Sequence, residues 1–210
     1  MQVGVNIESI SQVLWPSLIK FWQLCACEHE KENNVTSLYT PAYQPTGDEI
    51  AVVNTSQGTI RVQLAGKDAP IHVGNFVELA QKGYYDGLKF HRYVPGFVIQ
   101  GGCPYTRDMT PAEVARGERG PQGRPGTGGP GYHIKGEWRT NPNNVHEDGA
   151  LAMARSQDPD SAGSQFYFCL GPQYGLDFNY TVFGQTIEGL DVIAKLRAGD
   201  VIESITIENA

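Results

Sequence analysis

The sequence predicts a mostly antiparallel β-barrel with two helical caps, and three observations carry that expectation. Short apolar runs, several alternating residue by residue, recur from about residue 49 onward and are bounded by Gly, Pro, Asn and Ser. Two segments in that region carry a helical repeat, one towards each end. The connections are rich in glycine, of which the chain has 25.

Size and composition set the bounds. A chain of 210 residues suits one domain with an appendage, or two small domains. Apolar residues make up 40% and charged residues 19%, enough for a real core and too little charge for wholesale disorder. Sixteen basic against twenty-three acidic residues leave a net charge of -7. A general nucleic-acid binder needs a basic face, so that class is disfavoured, although a small basic pocket is still allowed. No run of apolar residues is long enough to predict a transmembrane helix. The cysteines, Cys25, Cys27, Cys103 and Cys169, match no zinc spacing and no disulfide framework, so free thiols are expected.

Residues 1–45 differ from the rest. Ile10, Val13, Leu14, Leu18, Phe21, Trp22 and Leu24 fit an amphipathic helix interrupted at Pro16. Leu24-Cys25-Ala26-Cys27 is similar to a bacterial lipoprotein cleavage box, but no positive charge precedes it, and Lys20 and Pro16 lie within the apolar part. The expectation is a cytoplasmic protein with a poorly ordered extension. The alternative is an exported lipoprotein anchored through Cys27. Thr40 to Gly47 reads as a linker, and the folded domain is placed at 46–210.

Within that domain, Glu49–Asn54 and Thr59–Leu64 read as strands around a turn at Ser56-Gln57-Gly58. A helix follows, with Asp68 as N-cap, Pro70 in the first turn and Lys82-Gly83 at its end. Val73, Phe76, Val77 and Ala80 give it one buried stripe, suited to plugging an open end of the sheet. Phe90–Val94 and Phe97–Ile99 then flank Pro95-Gly96, a hairpin pattern. Alternation puts Phe90 with Arg92, His91 with Tyr93, Val98 with Gln100, and Phe97 with Ile99. A buried unpaired charge is costly, so Arg92 either reaches solvent or lines a pocket.

Residues 103–131 form a long glycine-rich loop with room for one helical turn between Met109 and Arg119. Gly126 to Gly131 fits G-x-G-x-x-G, but no strand precedes it and no helix starts within it, so a dinucleotide site is disfavoured. Asp158 to Gly163 lacks the late Glu of a calcium loop. His146-Glu147-Asp148 reads as a solvated turn, and no nucleophile elbow is present. Strands return at Ala150–Ala154, Gln165–Leu170 and Thr181–Gln185. A second helix, with Leu190, Ile193 and Leu196 on one face, and a closing strand from Asp200 to Ile207 complete the chain.

Three segments now stand in order: Phe90-His91-Arg92 with Phe97-Val98-Ile99-Gln100-Gly101-Gly102; Gly149 to Arg155 with Ser164-Gln165-Phe166-Tyr167; and Leu176-Asp177 with Tyr180 to Gly184. Together with Gly-Thr-Gly-Gly-Pro-Gly-Tyr between them, they closely resemble the cyclophilin family of peptidyl-prolyl cis-trans isomerases, its bacterial members in particular, over residues 48–209. The resemblance implies an eight-stranded antiparallel closed barrel capped by two α-helices. It implies an isomerase acting on X-Pro bonds in flexible or unfolded chains, with no cofactor and no metal, and a monomer is expected. Its catalytic positions fall on Arg92, Phe97 and Gln100. Its substrate-binding positions fall on His91, Val98, Ala154, Arg155, Gln165, Phe166, Tyr167, Leu176 and Tyr180, with His91 as a structural hydrogen-bonding residue. Val98 stands where Met is common, Tyr167 where Phe is usual and Tyr180 where His is frequent. The rim Trp of cyclosporin-sensitive relatives falls at Tyr174-Gly175, which implies weak binding of that drug. A proline-binding module without catalysis is the competing expectation, disfavoured because Arg92, Phe97 and Gln100 are all present.

Overall fold

The structure, a computed structural model, describes residues 38–209; the apolar segment of the N-terminal extension and the Cys25-Ala26-Cys27 box lie outside the described residues. The elements are β1 (Glu49–Thr55), β2 (Gly58–Leu64), α1 (Pro70–Gln81), β3 (Arg92–Val94), β4 (Val98–Gly101), α2 (Pro111–Ala115), β5 (Ala150–Met153), β6 (Phe166–Cys169), β7 (Val182–Glu188), α3 (Leu190–Lys195) and β8 (Ile202–Asn209). Short 3-10 turns lie at Pro104–Thr106 and Tyr174–Leu176.

All eight strands belong to one antiparallel sheet in the order β3-β4-β6-β5-β7-β2-β1-β8. The expected closed barrel is corrected here: the ladder is open between its edge strands β3 and β8. With only three residues, β3 is too short to pair with β8. The irregular chain before it spans the gap instead, through one bridge at Lys89 and Val201 and four backbone hydrogen bonds, Gly87 to Ile202, Phe90 to Asp200, Gly199 to Phe90 and Ile202 to Leu88. The sheet is therefore a curled half-barrel with a stitched seam.

Alternation sorts the side chains. Ile60, Val62 and Leu64 of β2, Leu151 and Met153 of β5, and Phe166 and Phe168 of β6 point inward and are almost fully buried. Phe76 of α1 meets Tyr85, Phe166 and Phe183 at 5.2 to 5.7 Å between ring centroids, an aromatic centre for the core. Phe90 joins this core and not the face of Arg92, because β3 begins only at Arg92 and the irregular chain before it does not keep the strand's alternation. Gly101 makes the space: a Cβ there would lie 3.0 Å from the Phe90 ring.

Helix α1 is buried nearly all round, not along one stripe: His72, Gly74 and Asn75 are covered as well. Gly74 is covered by the stretch read as a linker, His72 by Glu137, and Asn75 by Gly163 and Tyr132. Ala42 and Tyr43 donate backbone N–H groups to the Glu78 carboxylate, Tyr39 donates its hydroxyl to it, and a Cβ on Gly74 would meet the Tyr43 carbonyl at 2.8 Å. Asp68 is not the N-cap either. Ala69 holds that position, Asp68 accepts from Asn143, and the carboxylate of Glu137 arrives from a distant loop to accept from the N–H groups of Ile71 and His72. A third helix, α2, is added to the two expected, started by a capping box of Thr110 and Glu113 and anchored by buried Val114.

Candidate active site

The outer face of the sheet carries a second apolar cluster. Val98 of β4, Tyr167 and Cys169 of β6, Ala150 and Ala152 of β5, and Val182 of β7 point outward by the same alternation that sends their neighbours into the core. Phe97, Ala154, Leu176 and Tyr180 pack against them from the flanking loops. Phe97 thus stands with Val98 and not with Ile99, because it lies in the turn before β4 and escapes the strand's alternation. The result is a cavity of about 250 Å³ lined by Arg92, Phe97, Val98, Gln100, Ala154, Arg155, Tyr167, Leu176 and Tyr180. An outward apolar patch roofed by a loop is a pocket, and this one is bounded by a cation.

Arg92 lies opposite Gln100 in the β3–β4 register, and its guanidinium sits 5.8 Å from the centroid of the Phe97 ring. Among the described residues it forms no ion pair, and it lines the groove from an exposed strand position. Gln100 donates Nε2 to Gln165 Oε1 at 3.0 Å, and Gln165 in turn donates to the carbonyls of Gly126 and Gly128 at 2.9 and 2.8 Å. Gln165 therefore braces Gln100 against the glycine-rich loop. That loop turns the carbonyl oxygens of Gly126 and Gly128 towards Gln165. It walls a second cavity of about 400 Å³ that shares Gln100, Ala154 and Arg155 with the first. Gly102, just after β4, has φ 82°, and a Cβ there would lie 2.3 Å from the Ser164 carbonyl, so only glycine fits.

Three expected substrate-binding residues are placed differently. Phe166 is fully buried in the core, because β6 alternates and only Tyr167 and Cys169 face out. His91 lines neither cavity; its ring lies under Gly126 and beside Gln165, with both ring nitrogens shielded from solvent. Burial pushes its pKa down to about 4, so it is neutral near pH 7. Arg155 borders both cavities, but its guanidinium is committed. It donates to the carbonyls of Asn179, Ser156 and Gln157 and lies between Trp138 at 5.4 Å and Tyr180 at 4.8 Å, a clamp between loops.

Sequence reasoning missed Trp138, His146 and Asp177. His146 is not in a solvated turn; it is completely buried behind the pocket floor. Its Nδ1 lies 2.7 Å from Asp177 Oδ1 and its Nε2 3.0 Å from the Tyr167 hydroxyl. The signal was the tyrosine itself, since a buried phenol in an apolar pocket requires a polar partner. Among the described residues no His, Cys, Asp and Glu cluster could hold a metal ion.

The family described as cyclophilin type peptidyl-prolyl cis-trans isomerase/CLD matches residues 50–210. A peptidyl-prolyl cis-trans isomerase of Helicobacter pylori is 43% identical over 162 residues, 76% of this chain and 87% of that one. Its counterpart in Synechococcus elongatus is 45% identical over 159 residues, 75% of this chain and 94% of that one. Among solved structures, a Cryptosporidium parvum cyclophilin type isomerase in the presence of the dipeptide Ala-Pro superposes with a TM-score of 0.59 at 25% identity, covering 77% of this chain and 99% of that one. With the family matched over most of the chain and the groove assembled on the outer face of the sheet, this protein belongs to the cyclophilin-type peptidyl-prolyl cis-trans isomerases.

Proposed function

We propose that Arg92 is the catalytic residue, that Phe97, Val98, Tyr167 and Leu176 hold the proline ring of the substrate, and that Gln100, Ala154 and Gln165 position the adjoining backbone. The observation that carries this reading is a permanent cation at the mouth of an apolar notch of about 250 Å³. Rotation about a peptide bond is opposed by amide resonance, with a barrier of roughly 18–20 kcal/mol. No bond is broken, so the reaction calls for neither a nucleophile nor a general base. In the twisted amide the nitrogen regains its lone pair and accepts a hydrogen bond that the planar amide barely can.

Arginine keeps its charge and presents its donors as a rigid fork. A donor aimed at that nitrogen binds the twisted state more strongly than the ground state, and such differential binding raises the rate. The apolar walls fix the ring while the chain before it turns, and they exclude the water that favours the more polar planar amide. The larger neighbouring cavity, lined by Gln165 and Gly126 to Gly129, receives residues flanking the proline. The substrates are then exposed X-Pro segments of peptides and unfolded proteins. Arg92→Ala is expected to lower kcat/KM on an Ala-Pro peptide by more than roughly tenfold while leaving the circular dichroism spectrum intact. Undiminished turnover in that variant rules Arg92 out of the mechanism.

A further inference from the structure

The floor of the notch holds a hydroxyl where an apolar ring alone would serve. Tyr167 is buried, with a relative exposure of 5%, and its ring faces the cavity. Left free, its O–H would put a polar proton into a site meant for a pyrrolidine. Its partner is His146 Nε2 at 3.0 Å, and the two rings lie nearly parallel, 13° apart. An imidazole nitrogen accepts only when its proton is on the other nitrogen. Asp177 settles which one. Its Oδ1 lies 2.7 Å from His146 Nδ1 and also accepts the His146 backbone N–H at 2.8 Å. A carboxylate in that position accepts and cannot donate, so Nδ1 carries the hydrogen. Burial favours the neutral ring and Asp177 opposes it; the balance falls on the neutral side.

We infer that His146, oriented by Asp177, is a positioning residue that draws the Tyr167 hydroxyl proton out of the groove, so that a tyrosine can form the floor of an apolar proline pocket. The direction of the chain is Tyr167 O–H to His146 Nε2, then His146 Nδ1–H to Asp177 Oδ1. Asp177 directly follows Leu176, and its carbonyl accepts from Asn144, which also donates to the carbonyl of Tyr180. One chain of hydrogen bonds thus ties the floor of the notch to the loop that roofs it. This inference rests on the reading of the notch as the proline site, but it makes a claim about proton placement that stands apart from turnover.

Two measurements test it. Nitrogen NMR of the unmodified protein near neutral pH is expected to show neutral His146 protonated on Nδ1 and bare on Nε2. The opposite tautomer overturns the inference, because Tyr167 would then be the acceptor and its O–H would point elsewhere; this result is independent of whether the protein turns over any peptide. In kinetics, His146→Leu is expected to raise KM for an Ala-Pro peptide roughly fivefold or more, with a smaller change in kcat, because the phenol loses its acceptor. Adding Tyr167→Phe to that variant removes the stranded hydroxyl and is expected to recover most of the lost KM. A double variant no better than His146→Leu assigns His146 a purely structural role and overturns the inference. Should His146→Leu not fold, the tautomer measurement decides alone, and the opposite tautomer overturns the inference. Loss of activity in Arg92→Ala bears on the proline site alone, so the two ideas fail separately.

Discussion

At the scale of single residues, two histidines outside the groove lining, His91 and His146, are kept neutral by burial, and His91 allows this to be measured. Its pKa is pushed down to about 4 from the ordinary 6.5, first by burial and also by the charge of Arg92, with Gln165 pulling the other way. An unfolded chain therefore binds a proton at His91 below about pH 6.5 that the folded chain refuses until about pH 4. Because the unfolded state holds more protons in that window, stability is complete above it and lost as pH falls through it. The loss attributable to His91 is on the order of 2–3 kcal/mol. It is expected as a difference between urea unfolding free energies of the wild type and His91→Phe that changes with pH, the wild type losing more on acidification. A difference that stays constant from neutral pH down to pH 4 contradicts the buried neutral imidazole. Arg92 was legible only in part: its charge required solvent or a pocket, but alternation paired it with Phe90, which lies in the core. The burial of His91 was not legible, since nothing local announces that Gly126, 35 positions later, covers the ring.

At the scale of elements, local signals and long-range partners divide the outcome. The β1–β2 and β3–β4 hairpins and helix α1 were readable because turn residues and the helical repeat are neighbours in sequence. The start of α1 was misread because its cap is remote. Ile71 and His72 donate backbone N–H groups to Glu137, and His72 Nδ1 lies 2.6 Å from the same carboxylate. No rule about residues just before a helix finds an acceptor 65 positions away. The buried carboxylate sits where the helix dipole and the open N–H groups favour a negative charge. Glu137→Ala is expected to lower the unfolding free energy by about 2–3 kcal/mol, because it strands those buried donors. Glu137→Gln keeps one acceptor oxygen and is expected to lose less. Equal losses in the two variants would show that bulk rather than hydrogen bonding matters at this position. The same reasoning explains the open sheet: pairing β3 with β8 needs strand length, and a count of strands does not reveal that β3 has three residues.

At the scale of the whole molecule, the family resemblance supplied the strand count and the place of the groove, whereas composition misled about the chain before β1. Proline and glycine between Thr40 and Gly47 read as a linker because those residues punctuate loops, and propensity says nothing about what a loop lies against. Here it lies against α1. Glu78 gathers the Tyr39 hydroxyl and the N–H groups of Ala42 and Tyr43, and Glu49 gathers Thr46 and Gly47. The bonds to these two groups hold each carboxyl below its usual range even though burial pulls the other way. The strap also reaches the groove. Tyr39 packs its ring against Tyr132, with centroids 4.1 Å apart and planes tilted by 34°, and donates its backbone N–H to the carbonyl of His133, a residue lining the larger cavity. A chain starting at Asp48 therefore loses charge-assisted hydrogen bonds and the cover of buried Gly74, relative to one starting at Leu38. Net hydrogen bonds to a charged group contribute about 1.5–3 kcal/mol each, and partial solvent access here lowers that share, so a total loss of about 3 kcal/mol is expected. For a domain of this size that loss lowers Tm by roughly 6–12 °C. Thermal unfolding of the two truncations side by side decides it: coincident melting curves would return residues 39–47 to the status of a linker, and a shift of that size makes them part of the catalytic domain.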